Sequence, residues 1–452
     1  MDLGVLAQTF SGRLVQYYLD LLTSGTGMVA VAGFLLLACA ALVWDATRWV
    51  WLSVMFFLST FSLAREANAA PITAPFSYVA AAAQPAAYAM LLLLLIAAVK
   101  PGGAARGRPS AVLVALFALQ LVLVARYLIG GYTEKAVVGL VTFALLFVGL
   151  GLGIGSWVAA ERKAVPLARA VAGGAVLVML AGLGQYAISP AAAFVAGRLS
   201  GATPNAVRFA IALAVTVPFT LYLSTTPRVR GLAKTAFVAL LVVTILSVVA
   251  TGSRGASLAA VVAIVTFFRT RLGPVLAIGL LVTAAGIGVA AGTSGDFLGS
   301  AERLTSAGNT RAEVWTTLLA TFRANPLLGA DYEGALGESS YLSVAAGMGL
   351  VGLVPLAVLL VAIFAAIRTC VRVRPRLGDD DRGLADLAIS GLATMLCLWT
   401  FEAYLLSLVS DVMIAFYAIV AVYSAVTARA AAAAADLPTI LIPEEGSEFG
   451  FA

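Results

Sequence analysis

The sequence predicts an all-α polytopic membrane bundle, about 12–13 transmembrane helices with one long ordered external loop, and three observations support this. Of 452 residues, 62% are hydrophobic and 11% charged, with a mean hydropathy of +1.02, far from the soluble globular range. Apolar runs recur from Gly27 to Ala428, and at about 17–25 residues each can cross a roughly 30 Å hydrocarbon core as a helix. The alternative, a closed β-barrel, needs period-two alternation in segments of about ten residues, and the sequence has none.

Residues 1–26 contain LVQYYLDLL at 14–22, which reads as an interfacial amphipathic helix. No basic n-region precedes an apolar core with a small-residue cleavage site, so this is not read as a removable signal peptide. Ten spans follow within 27–292: 27–44, 48–64, 76–99, 110–126, 136–157, 166–188, 206–224, 232–250, 255–268 and 273–292. The external loop occupies 293–340. Three more spans, 341–367, 384–403 and 407–428, lie within 341–428, and the alanine-rich, then acidic tail 429–452 reads as disordered and cytoplasmic.

Basic residues orient the bundle. Taking alternate loops, 18 of the 28 Lys and Arg fall in one set, from Arg48 to Arg429, and the positive-inside rule makes that set cytoplasmic. The C-terminus lies with it, and an odd number of spans puts the N-terminus outside. The net charge of +6 is spread over many short loops, which is not a nucleic-acid surface. Asp379, Asp380 and Asp381 fall in a basic cytoplasmic loop and read as a solvated charge run. Cys39, Cys370 and Cys397 show no metal-type spacing, and the absence of histidine removes the commonest general base and metal ligand.

The basic residues left outside are informative, because insertion does not favour them there. Arg254 interrupts VVATGSRGASLAAVVAIV. A charge within hydrocarbon costs at least about 2.5–3.5 kcal/mol, so it needs a partner or a task, or else it snorkels to head groups. In the loop, Thr310 and Glu313 form a capping box that starts a helix at Arg311, and Asn325-Pro326 ends it. Arg311 and Trp315 share one face of that helix, and Leu318, Leu319 and Phe322 extend an apolar stripe that packs on the bundle. The macrodipole disfavours a cation in the first turn, so Arg311 calls for an anionic partner, and a phosphorylated ligand suits the place.

Asp331, Glu333 and Glu338 then approach the next span. Glu338 is either a capping residue or a general acid or base. Arg126 with Tyr127 and Tyr132, and Arg65 with Glu66, end earlier helices on the same side; they form an interfacial belt or line a groove. Glu402, in WTFEAYLLS, is an acidic residue within an apolar span. It either pairs with one of the arginines or binds acceptor.

Three stretches, TGSRGA at 251–256, NTRAEVW with NPLLG at 309–329, and ESSYLSVAAGMGLVG at 338–352, resemble in order and spacing the bacterial O-antigen ligase and Wzy-type polysaccharide polymerase superfamily. The resemblance covers the eighth to the twelfth span and, over the rest, the hydropathy profile. In ligases of that family the third stretch begins with a histidine. Here Ser339, Gly349 and Gly352 keep the frame while Glu338 stands in the histidine's place, a departure that favours a polymerase-like relative. The resemblance implies an inverting, metal-independent and cofactor-free glycosyl transfer outside the bacterial inner (cytoplasmic) membrane. Its donor would be an undecaprenyl-type pyrophosphate-linked oligosaccharide and its acceptor a glycan, with chain-length regulator or flippase proteins as partners. Arg254 and Arg311 would clamp the leaving pyrophosphate and Glu338 would orient or deprotonate the acceptor hydroxyl. Ser253, Trp315, Ser339, Tyr341, Arg126, Arg65 and Glu402 would line the substrate site. Ligase-type transfer to a lipid or protein acceptor ranks second, and a transporter or lipid-linked saccharide flippase third.

Overall fold

The computed structural model describes residues 33–40, 43–61, 72–99, 109–160, 163–195, 197–271, 273–276, 278–279, 311–330 and 337–435. The N-terminal segment, most of the tenth span, loop residues 293–310 and 331–336, and the tail beyond 435 lie outside these. So do Arg65, Glu66, Thr310, Asp331 and Glu333.

Among the described residues, nine helices are long and apolar enough to cross a membrane, and Arg254–Phe267 is a shorter apolar one. The chain is a multi-pass helical membrane protein. This is the structure expected of an apolar chain in lipid, where a helix satisfies its own backbone polar groups. In order come α1 (Thr47–Phe61), α2 (Phe76–Val99), α3 (Ala111–Ile129) and α4 (Thr133–Leu145). A π-helical stretch, Leu146–Ile154, leads into α5 (Gly155–Ala160), and then α6 (Ala164–Ile188). A two-residue hairpin, β1 (Phe194–Val195) with β2 (Arg198–Leu199), precedes α7 (Ala206–Ala214) and α8 (Val217–Thr225). The rest are α9 (Gly231–Ala250), α10 (Arg254–Phe267), α11 (Ala312–Ala324), α12 (Ser340–Val373), α13 (Asp379–Phe401) and α14 (Asp411–Ala435).

Three differences from the expected spans have local causes. The seventh span breaks at Val215–Thr216, because Pro218 lacks the N–H a continuous helix needs, and the Thr216 hydroxyl turns back to the Leu213 carbonyl at 2.7 Å. The last helix runs on through Ala435, so 429–435 are helical rather than disordered; the run of alanine, the best helix former, explains this. The span starting at Ser340 extends to Val373 but is not one continuous helix, since Gly349 sits at φ 60°, ψ −153°.

The centre of the bundle is α7–α8, 94% of whose apolar window is buried, flanked by α13 and α14. Around it α1 packs on α2 and α6, α3 on α12, and α10 along α13. The π-helical stretch lays Gly149 and Gly153 against Leu95 and Ala98 of α2, the small-residue contact that lets membrane helices approach closely.

Alternating helices define two ends, and side-chain bonds tie each together. At one end Thr73 donates to Gln185 (3.1 Å), Arg198 to the Thr251 carbonyl (2.7 Å), and Arg208 pairs with Asp411 (2.6 Å). This is the end that carries α11, here called the loop end. At the opposite end Asp386 takes both Arg269 and Arg374 at 2.7 Å, and Asp381 takes Arg228 at 3.7 Å together with Arg429. The expected solvated run at 379–381 is thus only partly so: Asp379 is open to solvent beside Arg382, while Asp381 ties the starts of α9 and α13 to α14.

Candidate functional site at the loop end

Arg311 is the N-cap of α11 rather than its first residue. Its backbone is αR, and an arginine at this position has no side-chain acceptor to offer the first-turn N–H groups. Two carboxylates hold it: Nε lies 2.9 Å from Glu338 Oε2 and Nη2 donates to Glu402 Oε1 at 2.7 Å. Nη1 donates to the Phe401 carbonyl and, at 3.5 Å, to that of Glu338. The anionic partners that a first-turn arginine calls for are therefore present within the chain.

The two carboxylates differ. Glu402 is 11% exposed and Glu338 45% exposed, with the guanidinium between them at 20%. Burial pushes the Glu402 carboxyl above its ordinary range; Arg311 pulls it back, and the nearby Glu338 charge adds to the rise. Glu402 also has a fixed backbone. Ser340 donates both its hydroxyl (2.6 Å) and its N–H (3.1 Å) to the Glu402 carbonyl and accepts from Leu405 N–H at 3.2 Å.

The position of α11 comes from an interlock of two loops. At the Gly349 break, Leu350 and Val351 N–H lose their helical acceptors, and the Pro326 and Leu327 carbonyls take them at 2.8 and 3.3 Å. In return Ala330 N–H donates to the Ala346 carbonyl at 2.8 Å. NPLLG thus docks backbone to backbone into the middle of AAGMGLVG. A Cβ on Gly349 would stand 2.5 Å from Leu327 O, and one on Gly329, at φ 70°, 2.4 Å from Gly347 C. Both positions require glycine. Arg126 fastens the same loop, donating to the Ala330 carbonyl at 2.9 Å.

The other expected site residues are distributed around this frame. The Trp315 ring lies 6.4 Å from Phe401, and its Nε1 is buried with no hydrogen-bond acceptor. Ser253 and Arg254 open α10, and Gly255 behind them abuts Phe401 so closely that a Cβ there would lie 3.0 Å from the Phe401 Cβ. Arg254 and Arg311 therefore belong to elements that meet at the same phenylalanine. Ser339 caps α12, accepting from Leu342 N–H at 3.5 Å, and the Tyr341 hydroxyl donates to the Leu396 carbonyl at 3.0 Å, inside the bundle. Arg65 lies outside the described residues.

Two features escaped sequence reasoning. Ser340, which fixes Glu402, is one hydroxyl among many and gives no signal. Arg208, however, stands in the apolar run AVRFAIALA, and the rule that flagged Glu402 applies equally to it. Its guanidinium pairs with Asp411, donates to the Ser59 carbonyl at 2.9 Å and lies 4.9 Å from the Tyr404 ring centroid. Burial pushes the Tyr404 phenol up to about 12.

No protein-family model matches this chain, and a search of curated proteins finds no match either.

Proposed function

We propose that this protein is a membrane glycosyltransferase that polymerises lipid pyrophosphate-linked oligosaccharide on the external side of a bacterial inner membrane. The observation that carries this reading is Arg311, held at the loop end between a buried carboxylate and a half-exposed one. Such a guanidinium keeps its fork aligned through Glu402, while Glu338 can leave it for solvent. An incoming pyrophosphate then takes the place of Glu338 on Nε, and charge-assisted bonds to phosphate oxygens compensate for the lost pair.

The displaced Glu338 is the group that accepts the acceptor's proton. The acceptor oxygen bonds to the donor sugar C1 from the face opposite the pyrophosphate, the C1–O bond breaks with its electrons going to the phosphate, and the hydroxyl proton passes to Glu338. The anomeric configuration inverts. Arg311, with Arg254 at the start of the helix that meets Phe401 through Gly255, stabilises the developing negative charge, where fixed donors act most strongly in a water-poor site. Trp315 and Phe401 offer ring faces to the saccharide, and Trp315 Nε1 has a donor to spare.

Ligase-type transfer to a different acceptor uses the same groups and is the second reading; Glu338 would then replace the histidine of the ligases. A transporter would concentrate ionisable groups near the membrane midplane. Here Arg208–Asp411 and the Arg311 pairs lie at the ends of helices.

The test is a reaction of purified protein with undecaprenyl-pyrophosphate oligosaccharide alone, products being resolved by length. A ladder of lengthening lipid-linked chains is the expected result. Product formed only after a separate lipid or protein acceptor is added establishes the ligase, and no product with either overturns both.

A further inference from the structure

A second site lies at the opposite end of the bundle. Between the ends of α8, α10 and α12 and the start of α13 is a cavity of about 310 Å³, near the lower end of the roughly 300–1,000 Å³ range of small-ligand pockets. Four guanidinium groups, from Arg269, Arg271, Arg374 and Arg382, stand at or beside it against the carboxylates of Asp379 and Asp386. Asp386, 7% exposed, is spent on Arg269 and Arg374, with Arg374 gripping it by two bonds of 2.7 and 2.9 Å. Asp379 is spent on Arg382. Among these six groups an excess of two positive charges remains, and Arg271, four residues beyond the end of α10, lines the cavity.

A charge excess is expected on a cytoplasmic face and does not by itself make a site. The additional observation is Thr226. It lines the cavity, is only 3% exposed, and its Oγ1 meets no group among the described residues other than the Tyr222 hydroxyl. The equally buried Tyr222 hydroxyl bonds with it, and because neither finds another partner among the described residues, one of the two hydroxyl protons is left without an acceptor. Leaving a buried donor unmet costs about 1–3 kcal/mol, so a ligand with an oxygen acceptor gains by meeting it.

The geometry points to a phosphate-binding site: a phosphate group enters between Arg271, Arg374 and Arg382, with Thr226 as a buried hydroxyl donor. The phosphate comes either from an anionic phospholipid head group or from a soluble phosphate compound. The inference is independent of the glycosyltransferase reading, since it concerns the other end of the molecule.

The test uses the full chain in nanodiscs of phosphatidylcholine and reads the thermal midpoint during two titrations, one with phosphatidylglycerol added to the disc and one with inorganic phosphate in the buffer. A saturable rise is expected in at least one. A rise with phosphatidylglycerol alone assigns the head group, and a rise with inorganic phosphate assigns the soluble source. Arg271→Gln, a change at an exposed side chain, and Thr226→Val, close to isosteric, should each weaken the response about tenfold or more. Arg368→Gln, at an exposed arginine of α12 outside the cavity, should leave it unchanged. No rise in the wild type, or an equal loss in Arg368→Gln, overturns the site.

Discussion

The two ends of the bundle use the same device with opposite sign. At the loop end one guanidinium, Arg311, is bracketed by two carboxylates; at the opposite end one carboxylate, Asp386, is bracketed by two guanidinium groups. Each central ion ties together elements distant in sequence, so each contributes to the fold. Their consequences for ligands differ. An anion arriving at Arg311 must first displace a carboxylate, whereas one arriving near Asp386 meets an existing positive excess. The first arrangement suits selective, exchangeable binding during a reaction, and the second standing occupancy.

Several substitutions break or sharpen this contrast. The largest effect is expected from Glu338→Gln, which should lower glycosyl transfer by about 10²–10⁴-fold if Glu338 is the base. Because that side chain is half exposed, the thermal midpoint should move by no more than about 1 kcal/mol equivalent. A large loss of stability would instead make Glu338 a structural tie like Asp386.

Gly349→Ala should be the most damaging change to stability at the loop end. It places a side chain in a backbone region nearly restricted to glycine, a strain of about 1–3 kcal/mol, and drives its Cβ into the NPLLG backbone. Loss of a designed cross-link between α11 and α12, together with a lowered midpoint, is the expected result. Asp386→Asn should cost about 2 kcal/mol, less than for fully buried pairs because Arg269 and Arg374 are 23% and 21% exposed. Transfer per folded molecule should be unchanged, and a fall comparable to that of Glu338→Gln would end the division of labour between the ends.

The smallest effect concerns pH. Burial raises the Glu402 carboxyl, so the fold holds a proton there more tightly than the unfolded chain does. On that group's account, stability falls as pH rises from the ordinary carboxylate value through the raised one. Glu402→Gln should flatten that interval in a pH series of unfolding midpoints, and an unchanged profile would show that Arg311 fully offsets the burial.

The transmembrane scaffold was legible because span length and composition are local properties. So was α11, whose boundaries fall within a residue of those expected from Glu313 and Asn325-Pro326. The need of Arg311 for an anion and of Glu402 for a partner could each be read alone, but their union spans 91 residues and no local pattern encodes it. The docking of NPLLG into the Gly349 break was also hidden, since each glycine has an ordinary loop or helix explanation until the other is brought against it. Arg208 escaped for a different reason: it lies near the start of its span, close to a loop where an arginine is ordinary, although its neighbours on both sides are apolar.

The interlock also has a consequence for biogenesis. Arg311 is made 27 residues before Glu338 and 91 before Glu402. At roughly 5–20 residues per second, its second carboxylate is synthesised about 5–18 s after it. Through that interval α11 has no finished seat, because the broken helix that receives NPLLG and the end of α13 that receives the guanidinium have yet to be inserted. A nascent chain that stops short of Glu402 therefore carries Arg311 without its buried partner, and the site is assembled only once α13 has been made.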